Sequence, residues 1–501
     1  MRKPDLITAD RYDVGQVTID MLPNDVLLEI FDLYLSVNRT SNKWHTLVHV
    51  CQKWRSIVFR SPCRLDLQIF CTDGTPVRKA LNVWPPLLIN ISYYAIQKST
   101  GYSIFKLGDD VDNIIAALEH SSRICEMTLF NAPSSEMENI LEAMQEPFPA
   151  LTELKLRPAN GIGATPVVRV PDSFLGGSAP RLGTLSLEDI PVPFPGLRKL
   201  LLSATDLNSL YLQNVCDSVY FSPEAIVGSL SALTRLEQLA LTFKSPRSRP
   251  DRESRRPPPS SRILLPVLTR LTFQGVSEYL EDLVAQIDAP QLQALSITLF
   301  HQLFLHTPQL ARFISRAPGL KGHDEARVVF DDSYIRFTLL FPSRPHTREQ
   351  EIRLGIRCNH PDLQLSALSQ VCTSSFPQTF IPAVRHLYVL ESRQYPRLDW
   401  VNNMIQTRQW LDLFHPFTTV KNLYLSKTIL PLIAPALQEL VGERVTTALP
   451  ALQCLFLDGL RTSGHVQETI MPFVAARQLS THPIVVSCWD WEEDEWWEGD
   501  D

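Results

Sequence analysis

The side chains able to do chemistry are scattered through this 501-residue sequence. Gly161 and Gly163 have the spacing that opens a dinucleotide-binding loop. Pro166, however, stands where a third glycine must let the helix pack on its strand. Cys358 and His360 offer two metal ligands, and no second pair lies near them to complete a tetrahedral zinc site. Asp331 and Asp332 are adjacent carboxylates. Neighbours on a strand point to opposite faces, so they are expected at a turn between strands and not as an acid–base pair. His45 and His49, four residues apart, share a helix face and are expected to be solvated or at the core edge. The phosphate loop GxxxxGK[ST], the zinc helix HExxH and the nucleophile elbow GxSxG are all missing. The expectation is a chain that is not an enzyme, with no catalytic, cofactor-binding or metal-binding residues and no cofactor.

Composition narrows the partners. Hydrophobic residues make up 44% and charged residues 20% of the chain, an ordinary balance for a globular protein able to bury a large core. The net charge of -7 offers no general attraction to nucleic acid or to an anionic membrane, so neither is expected as a partner. The 9 cysteines form no CxxC pair, which fits reduced thiols in the cytoplasm or nucleus. Residues 1–16 are polar and charged, unlike a secretory signal. No run reaches the ~20 apolar residues of a membrane span. The uncharged stretch 81–96 is interrupted by Pro85, Pro86 and Asn90.

Two elements near the N-terminus carry surplus apolar surface. Leu22-Pro23-Asn24-Asp25 opens a helix, with proline suited to the first turn and an acid suited to the helix dipole. Leu27, Leu28, Ile30, Phe31, Tyr34 and Leu35 then follow helical spacing as one broad face. After a polar turn, Trp44, Leu47, Val50, Cys51, Trp54, Ile57 and Val58 predict a second helix, ended by Pro62. So short a hairpin cannot bury much alone. Its surplus must meet either the rest of the chain, as a cap, or another protein.

The string Leu22-Pro23-x-Asp25-x-Leu27-Leu28-x-Ile30-Phe31, with Val50-Cys51-x-Lys53-Trp54-Arg55 after it, resembles the F-box. The resemblance implies docking to a Skp-type adaptor and, through it, to a cullin–RING ubiquitin ligase. It assigns Leu22, Pro23, Leu27, Ile30, Phe31, Val50, Cys51, Trp54 and Ile57 to positions that face the adaptor or the module's own core.

Behind the module, Leu-x-x-Leu-x-Leu recurs with strand-like alternation in its last positions. Copies start at Leu151, Leu182, Leu197, Leu207, Leu236, Leu292, Val420 and Leu452, with looser ones at Ile124, Leu268 and Val384. The copies at Leu197 and Leu207 lie too close for two full repeats. Helical stretches are expected at 134–144, 223–233, 277–287, 308–315 and 467–477. Between 300 and 382 the motif vanishes, but strands are expected at 326–330, 335–341 and 351–357, then a helix at 365–371. Strand plus helix every 20–35 residues predicts an irregular leucine-rich-repeat solenoid of α/β class, unbroken to residue 488. With the F-box-like segment, the whole resembles basidiomycete-type fungal F-box proteins with degenerate leucine-rich repeats.

The expected organisation is a flexible 1–19, the helical module 20–65, a linking segment 66–120, the solenoid 121–488 and a tail 489–501. Segment 245–262 is basic, rich in proline and devoid of apolar residues other than proline, so it is expected as a solvated loop. The tail joins many acids to four tryptophans, either as a solvated end or as a docking segment. In each motif the residue between the last two leucines is expected on the concave face: Lys155, Ser186, Tyr211, Thr272, Ser296, Tyr388, Tyr424 and Phe456. The aromatic ones, Tyr211, Tyr388, Tyr424 and Phe456, are the candidates for holding an unknown client protein. The functional expectation is a substrate-recognition subunit of a Skp–cullin–F-box ligase. The alternative is a repeat scaffold with no ligase role, whose hairpin caps the solenoid.

Overall fold

The computed structural model describes residues 19–36, 43–71, 77–94, 108–159, 168, 170–246, 262–300, 307–331, 333–340, 351–358, 361–374, 376, 380–392, 407–440, 442–458, 464–480 and 482–489. The Gly161, Gly163 and Pro166 segment, Asp332, His360, most of the basic loop and residues 490–501 lie outside them.

Three short helices come first: α1 (Asn24–Ser36), α2 (Trp44–Val48) and α3 (Gln52–Arg60). The sequence expectation of one helix from Trp44 to Val58 is corrected here. Cys51 is extended (φ -158°, ψ 171°) and its Sγ accepts the Trp54 N–H at 3.5 Å. A side-chain acceptor at that position starts a new helix instead of continuing the old one.

The strands and helices that follow alternate. They are β1 (Gln68–Cys71), α4 (Val77–Val83), β2 (Leu88–Tyr94), α5 (Gly108–Leu118), β3 (Ile124–Ala132), α6 (Ser134–Ala143), β4 (Glu153–Pro158) and β5 (Thr184–Glu188). Next come α7 (Phe194–Ser203), β6 (Ser209–Val215), α8 (Pro223–Leu230), β7 (Gln238–Phe243), β8 (Ile263–Leu264), β9 (Arg270–Gly275), α9 (Ser277–Gln286), β10 (Ile287–Asp288) and β11 (Ala294–Phe300). The C-terminal part holds α10 (Pro308–Arg316), β12 (Glu325–Phe330), β13 (Tyr334–Leu340), β14 (Glu351–Arg357), α11 (Pro361–Ser374), β15 (His386–Glu391), α12 (Thr407–Phe414), β16 (Asn422–Leu425), α13 (Leu430–Gln438), β17 (Cys454–Asp458), α14 (Gly464–Leu479) and β18 (Val485–Trp489).

Sixteen of these strands form one sheet in the order β1-β2-β3-β4-β5-β6-β7-β9-β11-β14-β13-β12-β15-β16-β17-β18; β8 and β10 pair separately. Segment 66–120, expected as a link, therefore supplies the first two strands of the sheet. Ten of the eleven motif copies sit on strands. Their apolar positions point to one side and are buried, as in the alternating burial of β4, β5 and β17. The copy at Leu197 does not: it lies in α7, where Leu197, Leu200 and Leu201 have helical spacing and are buried.

Pairing is parallel except in the stretch without motifs. There β12, β13 and β14 form an antiparallel meander laid into the sheet in reverse, with β14 beside β11 and β12 beside β15. Within 300–382 the sheet is built from antiparallel strands rather than from strand–helix repeats. One buried apolar cluster runs from Leu27 in α1 to Ile484 ahead of β18. Local signals agree with this plan. In α8, for example, Ser222 caps the helix by accepting from the Ala225 N–H, Pro223 takes the first turn and Glu224 follows. Among the described residues no helix is long and apolar enough to cross a membrane.

Candidate docking surfaces

The N-terminal module has two faces. The inner one is formed by Leu27, Leu28, Phe31, Trp44, Leu47, Val48, Ile57 and Val58, all buried. It joins the module to the sheet. The Trp44 indole N–H donates to the Gln68 carbonyl on β1 at 2.8 Å, and Trp44 meets Trp84 edge-on at 5.1 Å. His45 stacks on the same Trp84 at 4.8 Å, and burial together with His49 lowers its pKa. His45 lies at the core edge, whereas His49, just past the end of α2, is exposed.

The outer face is apolar and open. On α1, Val26, Ile30 and Leu33 are 42%, 40% and 68% exposed at steps of four and three residues. Met21, Pro23 and Tyr34 are exposed beside this stripe in the chain, and Val50 is exposed just ahead of α3. Seven of the sixteen large apolar side chains exposed among the described residues fall between Ile19 and Val50. Such clustering marks a contact surface, whereas single exposed leucines do not. A groove of about 220 Å³ lined by Asn24, Leu28, Lys53, Ile57 and Arg60 lies between α1 and α3.

The nine residues assigned to adaptor or core now separate. Pro23, Ile30 and Val50 are exposed; Leu22, Cys51 and Trp54 are partly buried; Leu27, Phe31 and Ile57 are buried. Leu27 and Phe31, both 0% exposed, are corrected from docking residues to core, while Ile57 is buried but lines the groove between α1 and α3. Phe31 and Trp54 pack at 4.7 Å, joining α1 to α3. Val26 and Leu33 were missed because the apolar run was read as one stripe. Steps of four and three from Val26 would have shown a second.

The second surface is the face of the sheet opposite the buried leucines; the described helices bury their apolar sides in one cluster with those leucines, so among the described residues this face is the helix-free one. The eight expected residues fall in one register row, running Lys155, Ser186, Tyr211, Ala240, Thr272, Ser296, Arg353, Thr338, Arg327, Tyr388, Tyr424 and Phe456. All eight are half-buried. The row brings three of the four aromatic candidates together. Tyr388 and Tyr424 stack at 4.1 Å with 9° between planes, and Tyr424 and Phe456 at 4.4 Å with 8°. Arg327 lies 5.3 Å over Tyr388, and Trp489 crosses edge-on at 5.3 Å from Tyr424 and 5.7 Å from Tyr388. Tyr388 and Tyr424 share a hydrogen bond, and burial first, then the Glu325 charge, raises the pKa of Tyr388. The ladder therefore stays neutral near physiological pH. Tyr211 is not part of it. It lies seven strand steps from Tyr388, roughly 34 Å at the usual spacing, and its hydroxyl donates to Gln238.

Of the Cys358–His360 and Asp331–Asp332 pairs, only Cys358 and Asp331 lie among the described residues. Cys358 is buried, Asp331 is a buried residue at the β12–β13 turn, and no group of three or more His, Cys, Asp or Glu gathers to hold a metal among the described residues.

No protein-family model matches the chain, and no curated protein matches its sequence. Among solved structures, it is similar to the leucine-rich repeat-containing protein LegL7 from Legionella pneumophila, at 13% identity, over 81% of this chain and 97% of that one, with a TM-score of 0.28. The repeat architecture stands on the strand order and register themselves: a mixed α/β solenoid built on a long, mostly parallel sheet.

Proposed function

We propose that this chain is an interaction scaffold of the F-box kind: the outer face of its N-terminal module docks a Skp-type adaptor of a cullin–RING ubiquitin ligase, and the helix-free face of its sheet holds a client protein. The observation that supports this reading is the open stripe Val26, Ile30, Leu33 beside Pro23. It lies in the segment whose Leu-Pro opening and Val-Cys-x-x-Trp-Arg string resemble the F-box. Capping and docking use different faces of the module, so covering the β1 end of the sheet leaves the stripe available. The reaction is then accelerated by proximity alone, because holding client and ligase together raises their effective concentration.

The rival is a repeat scaffold whose module only caps. Co-purification with a Skp-type adaptor separates the two. Ile30→Asp and Leu33→Asp place a charge in the contact without touching the buried face. Each is expected to weaken adaptor binding by at least about 30-fold, roughly 2 kcal/mol, with an unchanged melting temperature. Adaptor binding that survives both substitutions would refute the docking reading, as would a wild-type chain that fails to bind.

A further inference from the structure

The helix-free face changes character toward the C-terminus. On the meander, Arg353, Arg336 and Arg327 stand on three consecutive strands, next to the Tyr388–Tyr424–Phe456 ladder. Arg353 pairs with Glu351 at 3.0 Å, Arg327 with Glu325 at 2.6 Å, and Arg336 donates to the Tyr334 hydroxyl at 3.0 Å. Among the described residues, these three guanidiniums stand beside two carboxylates, Glu325 and Glu351, on a chain whose net charge is -7. An apolar ladder beside these arginines suits an acidic segment that carries aromatic residues.

This chain contains one. Residues 490–501 read Asp-Trp-Glu-Glu-Asp-Glu-Trp-Trp-Glu-Gly-Asp-Asp, with eight acids, three tryptophans and no basic residue. The segment starts directly after Trp489, whose ring already lies against Tyr424 and Tyr388, two and three strands in from its own β18. The last described side chain of β18 thus lies on this face. Six strand steps separate β18 from β14, roughly 29 Å. Twelve extended residues span about 40 Å, enough to cross the ladder and meet all three arginines.

We infer that residues 490–501 bind intramolecularly to this face, tryptophans on the ladder and carboxylates on the meander arginines, as an internal occupant that an external client must displace. This rests on the client-holding role proposed for the face, but not on the adaptor. Tethering supplies a local concentration in the millimolar range, so even a weak contact would occupy the surface. The client class follows: an acidic, aromatic-bearing peptide segment able to outcompete the chain's own.

The test uses the full chain with p-benzoylphenylalanine in place of Trp496. Irradiation is expected to give crosslinks within one chain to peptides carrying Tyr388, Tyr424 or Phe456. Arg336→Glu with Arg353→Glu is expected to cut their yield at least fivefold. No crosslink to those peptides, or crosslinks only between two chains, overturns the inference. In a second arm a synthetic peptide of residues 490–501 is titrated into the wild-type chain and into the full chain carrying Trp491→Ala, Trp496→Ala and Trp497→Ala. Binding at least tenfold tighter to the substituted chain supports self-occupancy; equal affinity, or no binding to either, overturns it. Neither arm contains an adaptor, so failure of the adaptor reading leaves both results interpretable.

Discussion

His323 illustrates how burial turns one residue into a pH dependence. It is 3% exposed, sits 6.0 Å from the Phe380 ring, and burial pushes its pKa down to about 4. The unfolded chain holds the same proton near pH 6.5. Between those values the unfolded state binds more protons, so the contribution of His323 is complete above about pH 6.5 and is lost as pH falls toward 4, by up to about 3 kcal/mol. The lowered pKa of His45 acts in the same direction. Denaturant midpoints of wild type and His323→Leu, compared at pH 7.5 and pH 4.5, should show a smaller acid loss in the variant. Equal losses would assign the acid limb to other groups. Nothing in the residue types around position 323 announced this burial. It depends on a 3-10 turn at Ile381–Ala383 that sits far along the chain.

Between elements, side chains complete what the local sequence leaves open. Glu281 of α9 is buried and accepts from the N–H groups of Gln309 and Leu310, each at 2.8 Å, at the start of α10. The residue before α10, Thr307, makes no side-chain cap. A carboxylate from the preceding helix therefore satisfies two end donors and complements the dipole. Glu281→Ala would leave buried donors unpaired and should lower stability by about 1–3 kcal/mol. Glu281→Gln should recover part of that, because the amide oxygen still accepts. Chemical denaturation of the two variants decides this, and equal loss in both would argue that packing, not hydrogen bonding, matters at 281.

What the sequence made legible at this scale was periodicity. Strands 326–330, 335–341 and 351–357 and the helix starts at 134, 223, 277 and 308 fall where the pattern put them, to within one or two residues. The failures have separate causes. Leu197 matched a strand motif because Leu at steps of three also fits a helix. The Cys51 break hid because its cap is a thiol, a residue type not read as a cap. On α1, two apolar stripes summed to one broad face. On the sheet, Arg327, Arg336, Arg353 and Trp489 escaped notice as part of a surface because only the register of distant strands brings them beside Tyr388.

Across the whole molecule, the two ends of the sheet are unlike. All four β1 residues are buried and the module closes over that end, with Trp44 donating to Gln68. At the other end β18 has no buried position, and Val485 is 60% exposed. An edge strand with no buried position opens more readily than one buried under a cap. Hydrogen exchange followed by mass spectrometry should find the amides of β18 exchanging well ahead of those of β1, and β13, flanked on both sides by antiparallel partners, slowest of the three. Equal rates at the two ends would mean that the outer edge of β18 is paired or covered in solution.

The reversed meander also sets a timetable for synthesis. When β11 leaves the ribosome, its free edge waits not for the next strand made but for β14, which ends about 57 residues later. At roughly 5–20 residues per second that is a delay on the order of 3–11 s. β12 meanwhile emerges with one neighbour about to follow and the other, β15, still untranslated. A nascent chain of this protein thus passes through a window in which it must hold a half-built sheet open in the middle, so slow codons or chaperone contact within residues 300–391 would influence its yield more than the same changes anywhere in the regular repeats.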